Sequence, residues 1–385
     1  MDNISAGAAE PNVWVDVNLA ALKSNASLLL RQLAASDPAP ELIAVVKADG
    51  YGHGAVAAAT AFRSVGVRRF AVTSLDEASA LVAGGIDPAR TPVLVFAPVV
   101  TKSQAWHLCD LGLEATVCDA NHVRLLAAAS GQMGRTLRVH LKVDTGMARL
   151  GESPKHALGV ARLIEASEGV VLAGTYTHFA TAADADLAGT RTQLDRLMDL
   201  YEAMRREGIS PGLRHAANSA ASLRLPESHL DAVRLGTVLY GQSPSKFVPH
   251  VDGLDPQTWS VKARVIFVRD LPTGATIGYG AEETLRKRTR AASLAIGFAD
   301  GFGMTPSSML RGRRGLRVLL RYLLGNDRPF VLLHGQRAPV LGRIAMQMVV
   351  VDVSGFPSPV KSGDIAEIPM RRLAASARLP RLYHE

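Results

Sequence analysis

The apolar positions of the chain change their period near residue 250. Before it, short apolar runs alternate with stretches of helical spacing. Leu19, Leu22, Ala26, Leu29 and Leu33 recur at three- and four-residue intervals behind Asn18, a residue type suited to capping a helix. LIAVVK then reads as a strand and AVAAATAFRSVG as a helix closed by Gly66. RFAVTS is the next strand, and DEASALVAGG is a helix with acids at its start and glycines at its end. The series continues through PVLVFAP, EATVC, RVHLKVD, VVLAGTYTHF, LRHAAN and DAVRLG, with helical stretches such as DANHVRLLAAAS and 184–207 between them. Eight strands result, beginning at Leu42, Arg69, Pro92, Glu114, Leu137, Val170, Leu213 and Asp231. Apolar strands alternating with helices require parallel pairing with both faces covered. The fold class expected is therefore α/β, an eight-stranded parallel (β/α)8 barrel. An open doubly wound sheet is the alternative, but no glycine fingerprint follows the first strand.

After residue 250 the pattern becomes alternating. WSVKARVIFVRDLPTGATIGYG turns at Asp270–Gly274, VLLHGQRAPVLGRI turns at His334–Gly335, and MQMVVVDV is a further strand. Short alternating strands punctuated by turn residues describe a mostly β domain. The expected division is a barrel over 12–248 and a mostly β domain over 249–385, with residues 1–11 packing on the latter.

Composition changes this picture little. A chain of 385 residues that is 48% hydrophobic and 20% charged can bury one large core and one smaller one. No apolar run approaches the roughly 18–20 residues of a membrane helix, and MDNISAGAAEPN lacks the basic start and apolar stretch of a secretory signal. Cys109 and Cys118 fit no disulfide or metal framework. These features predict a cytoplasmic protein with neither a membrane nor a metal partner. The net charge of +8 gathers in RKRTR (286–290), RGRRGLR (311–317) and RRLAASARLPR (371–381). Nucleic-acid binding would call for stacking aromatics on a recognisable module. Aromatics are only 5% of the chain, so a solvated basic face is expected instead.

Candidate chemistry lies where barrel enzymes keep it, at the carboxyl ends of the strands. Lys47 ends the first strand, Asp144–Arg149 follows the fifth, and His178 ends the sixth. Asn218 and Ser219 follow the seventh, and Arg234, Gly236 and Thr237 close the eighth. Ser219 offers a hydroxyl, and Gly236 and Thr237 offer N–H groups, in the region where such barrels often bind phosphate. A lysine, a phosphate cradle and a rim arginine together suggest pyridoxal 5′-phosphate, which is held by a lysine, anchored by its phosphate and tuned at its ring nitrogen. Asp49–Gly54 reads as flexible backbone, with Asp49 and His53 in structural roles. Singly, each residue has a plainer account: His178 as a core histidine, Asn218 as a helix cap, Arg149 as a surface ion-pair partner.

The motifs AVVKADGYGHG (44–54), LKVDTGMARLG (141–151), THFATAAD (177–184), HAANSA (215–220), VRLG (233–236), IGYGAEE (277–283) and GRIAMQM (342–348) stand in the order they take in the alanine racemases. The chain resembles that pyridoxal phosphate-dependent family over nearly its whole length. The resemblance implies an amino-acid racemase interconverting L- and D-alanine with two bases, Lys47 and Tyr279, on opposite faces of the substrate. It implies a head-to-tail homodimer in which Tyr279 enters the partner's site. Lys47 would bond the cofactor, and Tyr51, Ser219, Gly236 and Thr237 would hold its phosphate beside Asn218. Arg234 would face the ring nitrogen, braced by His215, with His178 also against the cofactor. Arg149 and the backbone of Met346 would take the substrate carboxylate, and Lys142 matches a lysine that some members carry carbamylated.

Three departures stand out. Gln347 follows Met346 where many relatives have an acid or its amide, the arginine-rich stretch 309–330 is longer than usual, and the C-terminal segment lacks a tyrosine that reaches the substrate entrance in relatives. They predict a wider or differently gated entrance and leave racemisation of serine, lysine or a broad range as an alternative. A related barrel-type decarboxylase is the next alternative, although it would place an acid where Arg234 stands. A non-catalytic cofactor-binding protein comes last.

Overall fold

A computed structural model describes residues 10–304 and 328–385. The arginine-rich stretch therefore lies outside the described residues except for 328–330, and so do residues 1–9. Strand β1, Val13–Asn18, leads into the helix Leu19–Ala34. The strands β2 (Glu41–Val45), β3 (Arg69–Val72), β4 (Val93–Val95), β5 (Glu114–Val117), β6 (Leu137–Lys142), β7 (Val170–Tyr176), β8 (Leu213–His215) and β9 (Ala232–Leu235) follow, with helices between successive strands. These starts fall within one residue of those expected from the apolar runs.

One unit comprises Leu19–Thr258. Its strands β2 to β9 form a closed barrel, parallel throughout, sealed where Leu42 pairs with Val233 and Ile43 with Arg234. Side chains alternate across the barrel wall, as the pleat requires. Ile43, Val45, Ala71, Leu94 and Ala232 cluster together and carry Tyr51, Phe96 and Leu213 against them. On the first helix, Leu22, Ala26, Leu29 and Leu33 are buried, the face its spacing predicted. Leu22 is fully enclosed, which stabilises the unit by roughly 1.5–3 kcal/mol. Ser74 opens the helix Leu75–Ala83 with a capping box closed by Glu77, and Asp119 caps the helix Ala120–Met133, which ends on left-handed Gly134.

The other unit comprises the chain up to Asn18 and Trp259–Glu385. Its strands are β10 (Trp259–Leu271), β11 (Thr276–Ile277), β12 (Glu283–Thr284), β13 (Thr289–Leu294), β14 (Phe330–Leu333), β15 (Gln336–Leu341), β16 (Val349–Asp352), β17 (Ile365–Ile368) and β18 (Arg381–His384). All but β11 and β12 join one eight-stranded sheet in the order β13-β16-β15-β14-β17-β10-β1-β18. The long strand β10 pairs with β1 and β17 at its start and with β13 beyond an irregularity at Val265–Phe267. His334 (φ 47°) and Gly335 (φ 74°) make the two-residue turn between β14 and β15, as that hairpin requires.

The division differs from the expected one at both edges. Val13–Asn18 is not barrel: it pairs antiparallel with β10 and parallel with β18. Residues 249–258 stay with the barrel unit, where the Asp255 N–H donates to Asn25 Oδ1 at 2.7 Å and Asn25 Nδ2 donates to the Asp255 carbonyl at 2.9 Å. Both assignments depend on partners far away in sequence, which local periodicity does not register.

Candidate active site

The stretch after β2 is not loose. Ala48, Asp49 and Gly50 have φ of 52°, 53° and 61°, and Tyr51 continues at 54°. This is a left-handed turn, costing roughly 1–2 kcal/mol for each residue that carries a Cβ. Hydrogen bonds hold it. The Gly50 N–H donates to the Val46 carbonyl at 2.9 Å, Gly52 N–H to Ala48 at 3.0 Å and Gly54 N–H to Asp49 at 2.9 Å. The Asp49 carboxylate accepts from the Ala55 N–H at 2.9 Å, and Glu77 Oε1 accepts from the Ala48 N–H at 2.6 Å. Glu77 Oε2 meanwhile accepts from Thr73 and Ser74 at 2.7 and 3.1 Å, so one carboxylate ties the turn to the next strand–helix junction. His53 is buried, and its Nε2 lies 2.9 Å from Thr258 Oγ1.

The turn presents Lys47 and Tyr51 to a cavity of about 470 Å³. Asn218, Ser219, Gly236 and Thr237 also line it. The Asn218 side-chain oxygen caps the helix Ser219–Arg224 by accepting from Ala220 and Ala221, and Ser219 Oγ accepts from the Gly236 N–H at 3.0 Å. Gly236 leaves room for Tyr51: a Cβ there would stand 2.3 Å from the Tyr51 hydroxyl oxygen, so a larger residue would require Tyr51 to shift.

Four basic side chains, Lys47, Lys142, Arg149 and Arg234, share the cavity wall, and no Asp or Glu among the described residues joins them. Burial and then Arg149 lower the Lys47 pKa, with Glu77 opposing. Lys142 is pushed down to about 7 by burial and then by Arg234, and its ammonium position lies over the Tyr176 ring, 4.8 Å from the centroid. Desolvation and Arg234 also hold His178 far below the usual imidazole range.

Arg234 is buried among neutral acceptors. Nη1 donates to His215 Nδ1 and to the His215 carbonyl, both at 2.9 Å. Nη2 donates to the carbonyls of Thr177 at 2.7 Å and Ala216 at 2.9 Å, with His178 Nδ1 at 3.3 Å. Burial lowers its pKa only to about 10, so it remains a cation at neutral pH. Tyr176 stacks on His215, 4.7 Å between centroids with planes 7° apart, and the guanidinium carbon of Arg234 stands over the same tyrosine at 5.2 Å.

The remaining residues singled out from the sequence belong to the other unit. Tyr279 caps the small β11–β12 hairpin and is 82% exposed, while Met346 and Gln347 are exposed in the loop before β16. Sequence reasoning passed over Glu77, Tyr176, His140 and Glu114. Only Glu77 carried a local signal, as the third residue of a capping box after Ser74.

This set of side chains fits pyridoxal phosphate: a lysine with a depressed pKa, a cation set without carboxylates, and a glycine whose missing side chain lets a tyrosine close in. The comparisons agree. Residues 17–244 match the family model for the N-terminal domain of alanine racemase, and residues 258–377 match that for its C-terminal domain. The alanine racemase of Desulfovibrio desulfuricans is 35% identical, with 97% of this chain and 98% of that protein covered. The alanine racemase of Methanococcus maripaludis is 34% identical over 92% of this chain and 88% of its own length. Among solved structures, the alanine racemase of Clostridium difficile 630 superposes with a TM-score of 0.85 at 26% identity, covering 98% of this chain and 97% of that one. The Bacillus anthracis alanine racemase with bound L-Ala-P gives 0.81 at 26% identity, covering 98% and 96%.

Proposed function

The chain belongs to the alanine racemase family, and on that premise we propose that it interconverts L- and D-alanine with pyridoxal 5′-phosphate as its cofactor. One observation carries the reading: Lys47, with its pKa lowered, shares a carboxylate-free cavity with Arg234, a buried arginine held only by neutral acceptors. When bound, the cofactor supplies a carbonyl that takes up an amine and an electron sink for the charge left at Cα.

The residues then divide the work. Lys47 would hold the cofactor covalently and would move a proton at the substrate Cα on one face. Tyr279 of a second copy moves the proton on the other face, which makes a head-to-tail homodimer the working form. Two bases are needed, since one base returning its proton to the same face regenerates the starting enantiomer. The hydroxyls of Tyr51 and Ser219, the Asn218 amide and the N–H groups of Gly236 and Thr237 hold the phosphate. Arg234, oriented by His215 beside His178, would face the ring nitrogen with a permanent positive charge and so disfavour its protonation. Less charge would then be drawn from Cα, which would favour return of a proton there over side reactions. Arg149 receives the substrate carboxylate. Lys142, whose lowered pKa of about 7 leaves a substantial neutral fraction at neutral pH, is suited to add carbon dioxide, releasing a proton and placing a carbamate's negative charge near Arg149. The D-alanine formed in the cytoplasm would serve peptidoglycan assembly.

The test is chiral amino-acid analysis after incubating the pure protein with L-alanine, L-serine or L-lysine, beside the Lys47→Ala variant. D-alanine is the expected main product, absent with the variant. Cofactor-loaded protein that forms no D-enantiomer from any substrate would overturn the reading, and a preference for serine or lysine would replace alanine in it.

A further inference from the structure

Behind His215, the hydrogen bonds continue away from the cavity through the barrel interior. His215 Nε2 lies 2.9 Å from His140 Nδ1, and His140 Nε2 lies 3.1 Å from Glu114 Oε2 at the amino end of β5. All three side chains are essentially inaccessible to solvent. Glu114 also accepts from Arg69 Nη1 at 2.7 Å and from Arg138 Nε at 2.9 Å. Room for the His140 imidazole comes from Gly174, where a Cβ would stand 2.4 Å from His140 Nδ1.

The proton positions along this path follow from donor chemistry. A guanidinium only donates, so His215 Nδ1 has to be bare where it meets Arg234. His215 therefore carries its proton on Nε2 and donates to His140, whose Nδ1 must accept. His140 in turn donates from Nε2 to the Glu114 carboxylate. Every link points the same way, from Arg234 to Glu114. A carboxylate suits the last position because an ionised one only accepts. Burial alone would raise the Glu114 pKa, but the His140 hydrogen bond, Arg69 and Arg138 outweigh it and keep the group ionised.

We propose that Glu114 is a positioning residue for Arg234: acting through His140 and His215, it dictates which imidazole nitrogens carry protons and so holds the guanidinium in place. The inference rests on the reading of Arg234 as the group facing the cofactor's ring nitrogen. If the final acceptor is weakened, His140 is free to protonate Nδ1, His215 is driven to do the same, and two donors then meet where Arg234 Nη1 and His215 Nδ1 now stand 2.9 Å apart.

The first measurement is ¹⁵N NMR of the histidine-labelled holoenzyme, which is expected to show His215 and His140 with Nδ1 bare and Nε2 protonated. A proton on His215 Nδ1 would overturn the relay without any variant. Glu114→Gln and His140→Leu should then shift the absorbance of the bound cofactor, raise the share of keto acid by-product and lower kcat about tenfold or more, as loss of an outer orienting partner does elsewhere. His140→Gln, which keeps one acceptor and one donor, should recover most of that loss. Variants that bind cofactor with unchanged absorbance and by-product share would show the path to be structural only, and if Glu114→Gln does not fold, the His140 pair decides. Arg234→Lys separates the two levels of the argument. A response to Arg234→Lys without one to Glu114→Gln or His140→Leu overturns the relay, and silence from all three overturns the role of Arg234 on which it rests.

Discussion

The Tyr51 hydroxyl occupies the space that a side chain at residue 236 would need, since a Cβ on Gly236 would lie 2.3 Å from that oxygen. The left-handed turn after β2 and the loop after β9 thus meet closely where one of them carries glycine. Gly236→Ala is expected to push Tyr51 aside and weaken pyridoxal phosphate binding about tenfold or more, or roughly 1.4 kcal/mol. Overpacking should also lower stability by about 1–3 kcal/mol. Spectrophotometric titration of cofactor-free protein checks the first effect. Adding Tyr51→Phe should make the combined loss smaller than the sum of the two single losses, and strict additivity would show that the two groups do not compete for space.

Glu77 joins the lysine turn to its neighbour through the N–H groups of Ala48, Thr73 and Ser74. Glu77→Ala removes the reciprocal half of the capping box, although Ser74 still accepts from the residue 77 N–H, and leaves a left-handed Ala48 without its acceptor. The expected outcome is a lower urea midpoint together with faster loss of cofactor on dialysis. Unchanged cofactor retention in a destabilised variant would mean that Glu77 supports the helix alone.

Lys142 makes stability depend on pH. Its amine has a pKa of about 7 in the folded chain against a reference value of 10.5, so between these values the unfolded chain binds more protons. The penalty for burying it is complete below about pH 7 and is relieved as pH rises towards 10.5. In carbonate-free buffer, Lys142→Met should therefore be more stable than the parent near pH 7, by a few kcal/mol at about 1.4 kcal/mol per pKa unit. The gap should close by about pH 10.5. Added bicarbonate should stabilise the parent alone. Urea midpoints across this range, with and without bicarbonate, decide both points.

Tyr279→Phe should leave cofactor binding intact and remove one of the two proton carriers. In deuterium oxide, one enantiomer of alanine is then expected to exchange its Cα hydrogen with retention, through Lys47, while net racemisation falls steeply. Mass spectrometry combined with chiral separation reads both. Racemisation at the parent rate would remove Tyr279 from the mechanism.

The barrel was legible because most of its strands are local apolar runs, and an apolar run specifies its own length and ends wherever it is placed. Lys47, His178, Asn218 and Arg234 were legible for the same reason: each stands at or just past the end of such a run, and closing the barrel brings those ends to one cavity. Contacts set by closure itself left no local trace. Glu114 and His140 read as ordinary strand residues until β5 and β6 lie side by side, with Thr116 paired to His140. Val13–Asn18 read as a lead into the barrel helix because its partners, β10 and β18, lie far along the chain. The run Asp49–Gly54 suggested freedom, since glycines permit many conformations. Glu77, brought alongside by the next βα unit, supplies a hydrogen bond that holds the turn to one of them. Periodicity records which face of an element is buried, whereas the side chains that meet across that face depend on how the elements pack.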